Sequence, residues 1–150
     1  MGMAHKEKIS HTAWLVMLCQ IGLAQDPRWQ ALGSGANLDY YQSVYDYCRR
    51  SFPLYRAIDK LISTPFHLWL IEKLLTFGAP QHVVLRKQAI RRYVEKAIAQ
   101  GTSQIVVLGG GFDVLAAATA RQYAQVHCFE IDTPDMHRHK LRILTDYFKM

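Results

Sequence analysis

The stretch 104–134 most constrains what this 150-residue chain can fold into. Its first run, Gln104–Leu108 (QIVVL), is short, apolar and rich in β-branched residues, which is typical of a strand buried on both faces of a parallel sheet. Three glycines follow at 109–111, and an alanine-rich helical segment occupies 114–123. A second apolar run, 126–131, contains an acidic residue near its end. This order of strand, glycine turn, helix and strand predicts the opening of a doubly wound α/β sheet.

The residues before this stretch predict helices and give no convincing alternating strand. Pro53 suits the first position of one helix, and another helix is expected at 66–77, just before Gly78. A complete doubly wound sheet needs several more strands than the two predicted here. We therefore expect an incomplete α/β chain, with a helical cap region at 1–100 and the first strand–helix–strand–helix part of a ligand-binding domain at 101–150.

The apolar segment 13–24 has two interpretations. It follows a basic stretch and ends in small residues, which is the outline of a secretory signal peptide. It is too short to span a membrane. Because Cys19–Gln20 interrupts the apolar run and Glu7 weakens the basic region, we favour a buried helix capped near Ser10 or Thr12.

The composition excludes several classes of protein. Half of the residues are hydrophobic and a fifth are charged, which is a globular balance rather than that of a disordered tail, a collagen-like repeat or a coiled-coil rod. The three cysteines, Cys19, Cys48 and Cys128, are odd in number and widely spaced. This pattern argues against a disulfide framework and against a paired-cysteine zinc site. We expect no metal site and a reducing, cytoplasmic setting.

The net charge of +6 raises the question of nucleic-acid binding. The densest basic stretch, Arg86–Arg92, lies in a helical pattern whose apolar positions between Ala89 and Ile98 predict an inward face. A basic run of this kind is usually the solvated side of an amphipathic helix. The sequence offers no recognition helix, zinc module or aromatic RNA-binding motif beside them. We expect neither a nucleic-acid nor a membrane partner.

The glycine turn predicts a nucleoside site. Gly109 and Gly111 allow backbone amides to approach a ligand at a helix N-terminus, and Glu130 or Asp132 is placed to accept hydrogen bonds from ribose hydroxyls. A dinucleotide fingerprint requires a third glycine where this chain has Val114, and the Gly-Lys-Ser/Thr ending of a phosphate loop is absent. A nucleoside without phosphates, S-adenosylmethionine, therefore suits the turn better. A purely structural turn is the alternative.

Two motifs in this stretch resemble the leucine carboxyl methyltransferase family. Leu108–Asp113 (LGGGFD) is similar to the family's Leu-Gly-Ala/Gly-Gly-aliphatic/aromatic-Asp, which follows an apolar strand. Phe129–Asp132 (FEID), with Pro134 after it, is similar to the family's second motif in order and spacing. The early segment 10–13 (SHTA) is similar to the Ser-x-Thr-Ala often found at the start of bacterial members. The resemblance is most specific over 104–144.

The resemblance implies the start of a Rossmann-like class I methyltransferase fold with S-adenosylmethionine as its cofactor. It implies that Gly109 lies against the methionine part of the cofactor, that Asp132 holds the ribose and that Arg86 pairs with the methionine carboxylate. Other residues of the two motifs complete the predicted cofactor-binding set, namely Gly111, Asp113 and Glu130.

The helical pattern gives independent support for Arg86. This arginine precedes Ala89 and Ile90 by three and four residues, which predicts that it lies on the inward face while Lys87 and Arg91 point outward. An inward arginine at the start of a helix is suited to a carboxylate that accepts two hydrogen bonds. A surface arginine on a basic helix is the alternative.

The resemblance also implies O-methylation of a carboxylate or hydroxyl, on a peptide C-terminus or a small molecule. Because the sulfonium is already activated, catalysis requires alignment of the acceptor in a water-poor pocket, and no catalytic side chain is predicted. We expect these 150 residues alone to be inactive. Two alternatives stay open: a truncated non-catalytic module that keeps part of the nucleoside site, and a fragment of a nicotinamide-dependent oxidoreductase.

Overall fold

The computed structural model describes residues 9–25, 27–28, 37–62 and 78–148. The helix expected at 66–77 lies outside the described residues. In chain order the elements are α1 (His11–Gln25), α2 (Leu38–Ser51), α3 (Pro53–Ile62), α4 (Ala79–Ala99), β1 (Gln104–Leu108), α5 (Leu115–Gln122), β2 (His127–Ile131) and α6 (Pro134–Phe148).

The two strands form a parallel pair, as the sequence predicts. β1 has the predicted bounds, and it pairs with β2 in a register that runs from Gln104 opposite His127 to Leu108 opposite Ile131. Helix α5 connects the strands and packs against both of them. The amide of Gly109 donates to the carbonyl oxygen of Ile131 at 2.8 Å, which continues the pairing into the glycine turn. The described chain is thus mostly helical with a small parallel sheet, which is compatible with a partial α/β fold.

The prediction that the first strand is buried on both faces is wrong. Val106 and Leu108 are more than half exposed, as are the residues opposite them in β2, Phe129 and Ile131. Side chains alternate along a strand, so these four share one face of the sheet, while the other face is half-buried and packs on α5. A short apolar run predicts burial but cannot show whether a second layer of structure is present, and the described residues cover one face.

A continuous hydrophobic core joins the N-terminal helices to the turn and to α6. Helix α1 packs on α2 and α4, and α2 packs on α3 and α6. The cluster draws buried residues from α1, α2, the glycine turn and its neighbours, and α6, among them Met17, Tyr40, Val44, Cys48, Phe112, Val114, Met136 and Ile143. The predicted helix at 13–24 is confirmed as α1, and the prediction that a helix begins at Pro53 is also confirmed. Among the helices that the structure describes, none has the length and apolar character needed to cross a membrane.

Cys48 provides a test of this core. Burial raises the pKa of its thiol to about 12, and only the thiolate is an effective nucleophile. We expect iodoacetamide at pH 8.5 to leave Cys48 unmodified in the folded chain and to alkylate it readily in 6 M guanidinium, as read by mass spectrometry of its peptide. Rapid labelling of Cys48 in the folded chain would contradict its placement.

The same pKa shift predicts how stability depends on pH. The folded-state pKa of Cys48 lies above the ordinary thiol value of about 8.5. The stability that the buried, protonated thiol contributes is therefore fully present below about pH 8.5 and is lost as the pH rises toward 12. Burial also raises the pKa of Tyr40 and of Tyr41. We therefore expect the urea midpoint to be steady near pH 7 to 8 and to fall steadily above pH 9.

Candidate functional site

The two outer glycines of the turn have left-handed backbones. Gly109 has a φ of 62° and Gly111 a φ of 55°, a region that L side chains rarely adopt. A Cβ at position 109 would meet no atom within 4 Å, whereas a Cβ at position 111 would lie 2.9 Å from the Cβ of Ala13. Gly109 therefore leaves the backbone accessible to a ligand, and Gly111 allows α1 to approach the turn closely.

A cleft of about 570 Å³ opens between α1, α4, α5 and the glycine turn. This volume is within the range of small-molecule sites. The cleft lies at the carboxyl end of β1, which is the end where α/β sheets commonly bind ligands. The polar side chains that line it include Gln20, Tyr41, Lys87, Asp113 and Asp132.

The carboxylate of Asp132 holds three parts of the site together. Its Oδ2 accepts a hydrogen bond from the amide of Gly111 at 2.7 Å, and its Oδ1 accepts one from the amide of Thr133 at 2.7 Å. Asp132 thus joins the end of β2 to the glycine turn and to the start of α6. Each oxygen has further lone pairs, so the carboxylate can still accept a hydrogen bond from a ligand.

Glu130, the other candidate ribose ligand, has a different position. It lies outside the cleft lining, and its Oε1 is 2.5 Å from Nζ of Lys140, a buried residue of α6. A Cβ at Gly110 would lie 2.9 Å from this same oxygen, so the middle glycine makes room for the carboxylate. Between the two acids that the sequence left open, the structure places Asp132 at the cleft and pairs Glu130 with Lys140.

The predicted orientation of α4 is wrong. Arg86, Ala89 and Ile90 are exposed, whereas Val84 is buried and Lys87 is mostly buried. Apolar residues occur on more than one side of this helix, so its sequence is compatible with either of two faces being turned toward the core. In the observed orientation of the helix, Lys87 reaches Asp113 just after the glycine turn. Arg86 still borders the cleft, from the exposed side of the helix.

Lys87 joins α4 to the turn and to α2, a role that the sequence did not reveal. Its Nζ lies 2.8 Å from Oδ2 of Asp113, donates to the hydroxyl of Tyr41 at 3.0 Å and sits 4.8 Å from the centroid of that ring. Oδ1 of Asp113 accepts from the amide of Leu115 at 2.8 Å, at the start of α5. Burial and the charge of Asp113 raise the pKa of Tyr41, so this phenol is neutral at physiological pH.

Five of the six residues predicted to bind the cofactor border one cleft, namely Arg86, Gly109, Gly111, Asp113 and Asp132. Their roles toward a ligand stay predictions. The sequence pattern placed Lys87 on the outward face of its helix, and the predicted site did not include Tyr41, because tyrosines at such spacing more often pack between helices. The signal for Lys87 was its spacing of three residues from Val84, which is buried, and seven from Val94, which is half-buried.

The described residues form a helical region and a two-stranded parallel sheet, compatible with a partial α/β fold, with a cleft at the carboxyl end of β1. A family model described as leucine carboxyl methyltransferase matches residues 68–149, which is more than half of the chain and includes the turn, both strands and α6. The chain belongs to the leucine carboxyl methyltransferase family, and the resemblance predicted from its motifs is confirmed. No curated protein and no solved structure matches the chain significantly.

Proposed function

We propose that this chain binds S-adenosylmethionine in the cleft and contributes to an O-methyltransferase site. The acceptor is a carboxylate or hydroxyl of a peptide C-terminus or a small molecule, and the setting is cytoplasmic, with no nucleic-acid or membrane partner. One observation carries the proposal: in a chain of this family, the glycine turn opens on a nucleoside-sized cleft with the Asp132 carboxylate fixed beside it.

The residues around the cleft are suited to this cofactor. The open backbone at Gly109 admits close approach, and Asp132 retains lone pairs for ribose hydroxyls. Buried Met17, Phe112 and Val114 give part of the cleft an apolar lining. The cofactor, when bound, supplies an activated methyl group on a sulfonium. The chain has then to orient that group and to exclude water, and this requires no nucleophile or general base from the protein.

The nicotinamide alternative has less support. Val114 stands where a dinucleotide fingerprint has its third glycine, and its side chain is buried in the core. The non-catalytic module keeps the same cleft, so binding alone does not distinguish it from the enzyme. Methyl transfer by this chain to an added carboxylate acceptor would favour the enzyme, and it would contradict the expectation that these 150 residues alone are inactive.

The first test is calorimetric titration of the chain with S-adenosylhomocysteine and, separately, with NAD. We expect S-adenosylhomocysteine to bind and Asp132→Asn to weaken it by about 10- to 100-fold, because an amide has one acceptor oxygen where the carboxylate has two. Asp39→Asn, which changes an exposed acid outside the cleft, is the matched control and leaves binding unchanged. A folded chain that does not bind S-adenosylhomocysteine, or that binds NAD more tightly than S-adenosylhomocysteine, would contradict the proposal.

A further inference from the structure

We propose that the outer face of α4 is a docking surface for an acidic amphipathic helix of another protein. The outer face consists of five exposed residues at helical spacing, namely Leu85, Ala89, Arg92, Tyr93 and Lys96. None of these five residues lines the cleft. The inference is therefore independent of the proposed function, and each can fail without the other.

Two large apolar side chains of the outer face are open to solvent. Tyr93 is 74% exposed and Leu85 is 49% exposed, and the exposed Ala89 lies midway between them in the sequence. Because these three positions are spaced by four residues, they form one apolar stripe along the helix. From Leu85 to Lys96 the outer face is roughly 16 Å long, which is enough to contact about three turns of a second helix.

The two cations of the outer face have no acidic partner in the part of the chain that the structure describes. Glu95 is the only acidic residue of α4, and it pairs with Arg91 on another side of the helix. Arg92 and Lys96 take part in none of the ion pairs between described residues. Two unpaired positive charges beside an apolar stripe are complementary to carboxylates that flank the apolar stripe of a partner helix.

The position and sign of these charges argue against two other occupants. A second copy of this chain carries the same net charge of +6, so its approach to the outer face is opposed by repulsion. A membrane surface requires a broad apolar face with the cations at its edges. Here Arg92 and Lys96 lie in line with Leu85, at spacings of seven and eleven residues, so they would enter the bilayer with it. An acidic helix satisfies the apolar stripe and the cations together.

The test measures the binding of a synthetic peptide to the full chain by fluorescence anisotropy. The acidic peptide has about 18 residues, with leucines spaced three and four apart in one stripe and glutamates on both sides of it. The lysine peptide is identical except that lysine replaces each glutamate. We expect the acidic peptide to bind with a dissociation constant of about 10 to 100 μM, at least about tenfold more tightly than the lysine peptide. Raising NaCl from about 0.05 M to about 0.5 M should weaken the acidic peptide by about threefold or more.

Substitutions on the outer face locate the binding. Tyr93→Ala should weaken the acidic peptide by about fivefold or more, because it removes the most exposed apolar side chain of the stripe. Arg92→Glu combined with Lys96→Glu should abolish binding of the acidic peptide and create binding of the lysine peptide, since the charges are then exchanged. These side chains are exposed, so the fold is retained. Arg49→Glu combined with Arg50→Glu makes the same change in net charge on exposed residues of α2, and this matched control should leave the affinity within about twofold.

Three outcomes would overturn the inference. Equal binding of the acidic and lysine peptides, or binding of the acidic peptide that survives the charge exchange, would show that the outer face does not select an acidic helix. No binding of the acidic peptide at about 1 mM would contradict the docking surface itself. Binding of phosphatidylserine vesicles or of a single-stranded RNA, lost on the same charge exchange while the acidic peptide does not bind, would assign the outer face to a membrane or to a nucleic acid.

Discussion

Replacing Lys140 with methionine is expected to destabilise the folded chain by about 3 kcal/mol. The lysine side chain is 5% exposed and its Nζ is 2.5 Å from Oε1 of Glu130, which is itself 17% exposed. Lys140→Met leaves the glutamate charge mostly buried beside Gly110 with its partner gone. Chemical denaturation in urea, with the free energy of unfolding extrapolated to water, measures the loss.

An exposed ion pair in the same chain provides the control. Arg91 and Glu95 are 3.0 Å apart at a spacing of four residues on α4, with side chains 41% and 40% exposed. Arg91→Met should cost at most about 0.5 kcal/mol, because water screens this pair. The double substitution of Lys140→Met with Glu130→Leu should recover much of the lost stability, since no charge is then left buried. Equal effects of Lys140→Met and Arg91→Met would show that burial does not set the strength of these pairs.

Gly111→Ala is the second substitution with a large expected effect, a loss of about 3 kcal/mol. Two costs combine at this position. The backbone has a φ of 55°, which an alanine adopts only with strain, and the new Cβ would lie 2.9 Å from the Cβ of Ala13 in α1. The turn or the helix must shift, and the cleft between them changes shape. Thermal unfolding and the affinity for S-adenosylhomocysteine should therefore both be reduced.

Gly109→Ala separates the two costs. Position 109 has a similar φ of 62°, but its Cβ would meet no atom within 4 Å, so only the backbone strain of about 1 kcal/mol is expected. Adding Ala13→Gly to Gly111→Ala should relieve the steric part, so that the double variant is less destabilised than the two single changes summed. Strictly additive effects would mean that α1 and the turn do not meet at these residues.

The predictable part of the fold is the part determined by local chemistry. The β-branched run Gln104–Leu108 and the glycines after it specify a strand and a turn through their own backbone preferences, and the structure has both at those positions. Pro53 begins a helix for the same kind of reason. These features depend on residues that are close together in the sequence, so one amino-acid sequence is enough to predict them.

The remainder depends on packing between distant segments. The orientation of α4 follows from its contact with α1 and from the ion pair of Lys87 with Asp113, a partner 26 residues further along the chain that no helical pattern identifies. The open face of the sheet, which carries Leu108 and Ile131, depends on which helices lie over it. The choice between Glu130 and Asp132 depended on Lys140, whose burial gives Glu130 its partner.

The long-range contacts of the site have a consequence for the order in which the chain folds. The bond between Gly111 and Asp132 closes a segment of 21 residues, whereas Tyr47 meets His139 across 92 residues and Ser10 meets Met136 across 126. Loop closure costs more entropy for longer segments, so we expect the strand–helix–strand unit to form before α1 docks on it. Because α1 supplies one wall of the cleft, the cleft is incomplete in any state of the chain in which α1 is undocked.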